Sequence, residues 1–302
     1  MSLDGLLLVN KPQGMTSHDV VQRARRALGL KRIGHCGTLD PDATGLLVLT
    51  VGRATRLTRF LIRAPKVYEG VARLGVTTDT YDAAGEVVGT APTSAVTEHA
   101  IRDAMSALAG SQTQIVPPYS AKKVGGVKHY QLARRGEAVP EATKEVTIFE
   151  FEATGPLRDD RLPFRLSCSS GTYARTLVHD LGRELGCGAH LESLSRLQVG
   201  PFRLADGADL DQLAGLAPDT APGTGWIDFD TIPLPFGDVV TDAQQELKIA
   251  HGQTILVRDL AAAEGDWVKL LSPRRELIAV GTVAESIGGG RVGVVQPKIV
   301  FR

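Results

Sequence analysis

A chain of 302 residues with 43% hydrophobic content can bury one large core and a smaller second one, which excludes a disordered or fibrous polypeptide. No uninterrupted apolar run approaches the roughly 18 residues that span a bilayer, and Cys36, Cys168 and Cys187 are too scattered for a disulfide framework or a Cys-x-x-Cys zinc site. The formal charge is zero but segregated: residues 1–75 hold twelve Lys/Arg against five Asp/Glu, residues 119–136 hold five bases and no acid, and residues 205–245 hold eight acids and no base. Positive charge gathered in two blocks suits a phosphate-bearing partner despite the neutral total. Met1-Ser2-Leu3-Asp4 lacks the basic start of a signal peptide, so a cytoplasmic location is expected.

In chain order, Leu6-Leu7-Leu8-Val9 reads as a buried strand ending at the turn-rich Asn10-Lys11-Pro12-Gln13-Gly14. A helix then begins: Thr16 and Asp19 have capping-box spacing, Val20, Val21, Ala24, Ala27 and Leu28 recur at helical intervals, and Gly29 ends it. Its outer face carries Arg23, Arg25 and Arg26 and leads to His35-Cys36-Gly37-Thr38-Leu39-Asp40-Pro41-Asp42-Ala43-Thr44-Gly45. There an acidic residue sits in a Gly/Pro/Thr-rich bend just before the buried strand from Leu46 to Val51. Pro41 biases Asp40 toward extended backbone, so the bend presents a carboxylate at the mouth of a sheet. Residues 52–61 read as a second basic helix.

Tyr68 to Gly75 reads as a strand with Tyr68, Ala72 and Leu74 on one side, Asp79 to Gly85 as a polar turn, and about Thr97 to Ala109 as a helix buried through Ile101, Met105 and Leu108. The segment from Val116 to Tyr130 interleaves Lys122, Lys123 and Lys128 with Tyr119, His129 and Tyr130 around Gly125-Gly126. Cations for phosphates beside rings for exposed bases suit a folded RNA. Phe164 to Ser169 reads as a strand feeding Gly171-Thr172-Tyr173-Ala174-Arg175-Thr176 and a helix with Leu177, Leu181 and Leu185 on one face. The adjacent His179-Asp180 pair is too little for a metal site, and Gly186-Cys187-Gly188 lacks the helix-opening pattern of a dinucleotide loop. Residues 205–242 read as an acidic connector with one short helix near Leu210 to Leu216; strand-like runs at 254–257, 267–271, 277–283 and 291–295 then suggest a small barrel.

The run Gly37-Thr38-Leu39-Asp40-Pro41-Asp42-Ala43-Thr44-Gly45-Leu46-Leu47, preceded by Val9-Asn10-Lys11-Pro12-Gln13-Gly14-Met15-Thr16-Ser17, resembles the TruB family of tRNA pseudouridine-55 synthases; Gly188 to Leu197 matches it again. Related rRNA synthases typically carry Arg before Leu-Asp, where this chain has Thr38. The resemblance implies an α+β pseudouridine-synthase fold with a mixed, largely antiparallel central sheet flanked by helices and loops. It implies a catalytic domain over 1–230 with an RNA-gripping thumb at about 119–147, and a PUA-like RNA-binding barrel over 231–302, since the ending Gln296-Pro297-Lys298-Ile299-Val300-Phe301-Arg302 is similar to the close of a PUA domain.

The same resemblance assigns Asp40 as nucleophile, Arg175 as its ion-pair partner and Tyr68 as a contact of the target base that serves in proton transfer. It assigns His35 to the space left by the extruded uridine, and Tyr173, Leu194, Lys11, Lys122, Lys123 and Lys128 to substrate binding. Isomerising uridine oxidises nothing and carries no group away, so neither cofactor nor metal is expected. The implied partner is the T-arm of tRNA, with no membrane and no obligate protein partner; nothing demands more than a monomer. The alternatives are a non-catalytic tRNA-folding chaperone, a guide-RNA-dependent synthase subunit and an rRNA-acting paralogue.

Overall fold

The computed structural model describes residues 3–117, 142–213, 221–287 and 292–301, with the backbone of 123–124 and 127–128. Strands β1 (Gly5–Lys11), β2 (Ile33–His35), β3 (Thr44–Val51) and β4 (Lys66–Leu74) come first, with helix α1 (Ser17–Leu28) after β1 and the single turn α2 (Thr58–Leu61) after β3. A hairpin of β5 (Val76–Thr78) and β6 (Val87–Thr90), helix α3 (Glu98–Ala107), β7 (Gly110–Ile115) and the pair β8 (Lys123–Val124) and β9 (Val127–Lys128) follow. Then come β10 (Thr143–Ala153), β11 (Arg161–Cys168), α4 (Ala174–Glu184), β12 (Ala189–Val199), β13 (Phe202–Arg203), β14 (Ala208–Asp209) and β15 (Trp226–Asp228).

The central sheet runs β14-β1-β3-β12-β4-β11-β10-β7, with β2, β13 and β15 attached at its flank. Only β1 with β14 and β3 with β12 pair in parallel; the other partners are antiparallel, giving the mixed, largely antiparallel α+β sheet expected. β1 and β3 read as unbroken apolar runs because both of their faces are covered. Leu7, Val9, Leu47 and Leu49 face α1, whereas Leu6, Leu8, Leu46 and Val48 face the other way. α1 forms as the sequence indicates: Thr16 accepts from the Asp19 amide at 3.1 Å, the Asp19 carboxylate accepts from the Thr16 amide at 2.9 Å, and Gly29 closes the helix at φ 67°.

A second, curled half-barrel sheet has the order β16-β18-β19-β20-β17: β16 (Asp238–Val240), β17 (Ile255–Arg258), β18 (Trp267–Leu271), β19 (Leu277–Ile287) and β20 (Val292–Val300). Helix α5 (Ala243–Ala250) covers one face, and the other does not end in solvent. Leu271, Leu277, Val280, Ile299 and Phe301 join Leu6, Leu8, Leu46 and Val48 in one apolar cluster.

Three expectations change in detail. Residues 52–61 are not one helix but a 3-10 turn over Gly52–Leu57 followed by the single turn α2. The Thr55 hydroxyl donates to the Gly52 carbonyl at 2.7 Å, and no side chain caps either piece, which favours the tighter turn. Near 210 the structure forms a 3-10 turn over Leu210–Leu213, while 214–216 lie outside the described residues. Thr143 to Thr147 belong to the central sheet through β7, although the sequence reading placed them in the insertion. Tyr119, Lys122, His129 and Tyr130 lie outside the described residues, as do the side chains of Lys123 and Lys128.

Candidate active site

The bend carrying Asp40 lies between β2 and β3, and groups distant in sequence grip it through its backbone. The Ser17 hydroxyl, at the start of α1, donates to the Leu39 carbonyl at 3.1 Å and accepts the Leu39 amide at 2.8 Å. Buried Lys11 directs its ammonium at the carbonyls of Pro12, Met15 and Pro41 at 2.9, 2.7 and 3.0 Å. Pro41 also accepts from the Gly14 amide at 2.9 Å. Arg196, 1% exposed, donates from Nε to Leu46 at 2.7 Å, from Nη2 to Gly37 at 3.1 Å and from Nη1 to Thr38 at 3.4 Å. Charge-assisted bonds to main-chain carbonyls fix a loop without occupying the side chain it presents.

That side chain meets Arg175 on the first turn of α4. Arg175 Nη2 lies 3.1 Å from Asp40 Oδ2, and Nη1 lies 3.2 Å from Asp82 Oδ2. The guanidinium is nearly enclosed at 7% side-chain exposure, whereas Asp40 keeps 53%, so the cation is sealed and the carboxylate open on one side. Asp82 is aimed by the Thr80 hydroxyl at 2.6 Å and the Ala84 amide at 3.1 Å. The start of α4 is itself held by buried Gln114, which accepts the Tyr173 amide at 2.7 Å and donates to its carbonyl at 3.1 Å. Desolvation raises the Asp40 carboxyl above its ordinary value; Arg175 is the main opposing influence, while Asp82 and Asp42 add to the rise.

β12 carries the site across the sheet. Arg196 pairs with Gly45 of β3 on one side and with Tyr68 of β4 on the other, so loop, guanidinium and phenol form one cross-strand row. Gly45 is required there: at φ +96° an added Cβ would stand 2.4 Å from the Arg196 carbonyl oxygen. Tyr68 is 9% exposed, and burial raises its phenol against the opposing charge of Arg196. Leu194, two residues before Arg196, packs at the edge of the α4 core and lines a cavity of about 370 Å³ with Thr44, Asp42, Glu69 and Phe164. His35 is half-buried at the end of β2, and burial holds it below the ordinary imidazole value, hence neutral near pH 7.

Asp40, Arg175 and Tyr68 are therefore drawn together by Arg196 and α4. Lys11, which the resemblance assigns to substrate binding, is enclosed here with its ammonium facing three loop carbonyls. His179 stacks on Tyr81 with ring centroids 3.9 Å apart, and Asp180 pairs with Arg183, which accounts for that dipeptide without a metal. Among the described residues no group of three or more His, Cys, Asp or Glu side chains is placed to share an ion.

A model of the TruB family pseudouridylate synthase N-terminal domain matches residues 25–174, and one of the tRNA pseudouridylate synthase B C-terminal domain matches 175–221. The "tRNA pseudouridine synthase B" of Thermobifida fusca (strain YX) is 48% identical over 99% of this chain and 98% of its own length. The chain belongs to the TruB family. Its likeness to proteins of the same name extends to Aromatoleum aromaticum, 40% identical over 94% of this chain and 96% of that protein, and Opitutus terrae, 50% identical over 71% and 88%. Among solved structures, a chain of a Cbf5-Nop10-Gar1 complex matches with TM-score 0.74 at 24% identity over 99% of this chain and 85% of that one. A chain of an H/ACA RNP bound to a substrate RNA containing 2'-deoxyuridine gives 0.74 at 22%, with the same coverage. At that identity the likeness is one of fold, and it extends through the C-terminal sheet.

Within this TruB chain, Asp82, Gln114, Ser17 and the buried Arg196 were not assigned from sequence. Arg196 alone left a trace: a cation within Leu194-Ser195-Arg196-Leu197 of a strand-forming motif, where a solvent-facing residue would be ordinary. Asp82 left none, being 93 residues from the arginine it meets.

Proposed function

We propose that this chain is a stand-alone tRNA pseudouridine synthase that isomerises uridine 55 of the T-arm in the cytoplasm, with Asp40 as the reacting carboxylate. The observation that carries the reading is the half-open Asp40 carboxylate 3.1 Å from an enclosed guanidinium, beside the buried Tyr68. The reaction breaks the N1–C1′ bond, turns the base and forms C5–C1′; the C5 proton leaves and N1 gains one, so composition is unchanged. Asp40 starts it, by adding to the ribose or base or by assisting removal of a ribose proton, and each route requires the ionised form. Arg175 favours that form and orients it, against the desolvation that an RNA-covered site deepens. Tyr68 packs on the target base and serves the proton transfer.

The uridine is stacked in folded tRNA and has to be extruded at a cost of a few kcal/mol; neutral His35 stacks in the space it leaves, and Tyr173 and Leu194 line the pocket. Lys122, Lys123 and Lys128 of the thumb hold the T-arm phosphates. The catalytic unit covers 1–230 and the PUA-like unit 231–302. The test is to incubate the purified chain with an unmodified tRNA transcript and map pseudouridine by chemical labelling. Conversion at position 55, lost in Asp40→Asn with tRNA affinity kept, supports the reading; binding without conversion by the wild type would leave only a tRNA chaperone.

A further inference from the structure

A buried guanidinium with no carboxylate beside it needs a reason, because removing it from water is costly and carbonyl dipoles only partly offset that cost. Arg196 is such a group: it is 1% exposed, and among the described residues no acidic side chain lies within ion-pair distance of it. If its task were only to tie the bend down, Lys11 and Ser17 already hold the Leu39–Pro41 backbone. Arg196 touches a different set, the carbonyls of Gly37, Thr38 and Leu46 on either side of Asp40, and it stands directly opposite Tyr68 in the β12–β4 pair, its charge acting on the buried phenol. Side chains directly opposite on neighbouring strands share one face of the sheet, and a planar fork of five donors can hold three carbonyls while lying beside the phenol.

We propose that Arg196 is a positioning residue that fixes Tyr68 relative to Asp40, linking the phenol and the carboxylate-bearing bend through one buried guanidinium. Cross-strand register sets the distance between the two reacting side chains, and Arg196 is the rung on which both are hung. The inference rests on the reading above, in which Tyr68 serves the proton transfer.

Single-turnover pseudouridine formation and RNA affinity, measured on a T-arm transcript, test it with wild type, Arg196→Lys, Tyr68→Phe and the double variant. Arg196→Lys is expected to lower the single-turnover rate about 100-fold with affinity within about threefold, and to cost less than about fivefold more once Tyr68 is already Phe. A rate within about threefold of wild type, or the full loss persisting on the Tyr68→Phe background, overturns the proposal. No conversion by the wild type would remove the underlying reading and the proposal with it, whereas an active wild type with an unaffected Arg196→Lys removes the proposal alone. Should Arg196→Lys not fold, arginine-labelled NMR of the wild type and of Tyr68→Phe decides. Separate, slowly exchanging Nη protons of Arg196 that become averaged in Tyr68→Phe support the link, and averaged signals in the wild type overturn it.

Discussion

Arginines and lysines work in different settings in two regions of this molecule. Around the Asp40 bend, Lys11, Arg175 and Arg196 are enclosed and each aims its donors at fixed acceptors. At the junction with the C-terminal sheet the cations are exposed and lie over rings, Arg53 4.7 Å from Phe229, Arg56 5.5 Å from Phe301 and Arg59 5.5 Å from Trp267, while Arg53 also pairs with Asp4 at 2.8 Å and Arg56 donates to the Val300 carbonyl. Burial converts a cation from adaptable surface glue into a device that tolerates little displacement, because desolvation makes every lost partner expensive.

The sharpest way to break this contrast is Asp40→Asn, expected to cut turnover by 1,000-fold or more, an estimate of roughly the size seen when a reacting group is removed. Its stability should behave differently. The folded pKa of Asp40 lies above the unfolded value near 3.8, so the stabilisation from its protonated form is full below that value and fades as pH rises through the folded one. A permanently neutral Asn keeps it, and thermal melting at pH 7 should show Asp40→Asn at least as stable as wild type. Next comes Arg175→Met, which removes the charge opposing the rise: turnover should fall about 100-fold, and the acid limb of the pH–rate profile should move to higher pH. An unmoved limb would detach Arg175 from the ionisation of Asp40.

Lys11→Met comes third. It removes a donor from three carbonyls, of which Pro41 keeps the Gly14 amide, and should cost about 2–4 kcal/mol in urea unfolding, with RNA affinity little changed if the ammonium faces the bend and not phosphate. The smallest effect is expected from Arg56→Ala at the junction, below about 1 kcal/mol and with turnover within about twofold, because an exposed cation over a ring is replaceable and water can take over its bond to the Val300 carbonyl. A loss at Arg56 matching that at Lys11 would erase the distinction between the two regions.

What was legible in the sequence was what depends on neighbours. The capping box at Thr16 and Asp19, the stop at Gly29, the double-faced apolar runs of β1 and β3 and the acidic bend between them all declare themselves within a few residues. The ion pair of Asp40 with Arg175 was reached only through resemblance, since 135 positions of chain separate the two. The buried supports were harder still. Lys11 reads as one more basic residue in a basic segment, and only the fold shows it turned inward under Pro41. Arg196 reaches Gly37 over 159 residues, and no periodicity marks a strand position whose side chain reaches a loop leading into the neighbouring strand. The helix expected over 52–61 erred for the converse reason: its spacing looks helical, but Thr55 draws the backbone into a tighter turn before α2 can begin.

The apolar cluster that runs from Leu6 and Leu46 to Val280 and Phe301 joins the two sheets in one core, so they are expected to melt together. Cutting the chain after residue 230 would strip the back of the very strands that flank the Asp40 bend, leaving a fragment that aggregates instead of a smaller working enzyme. Calorimetry of the intact chain should accordingly record one cooperative peak, and grafting a foreign C-terminal module onto this scaffold would require matching its oily face before anything else.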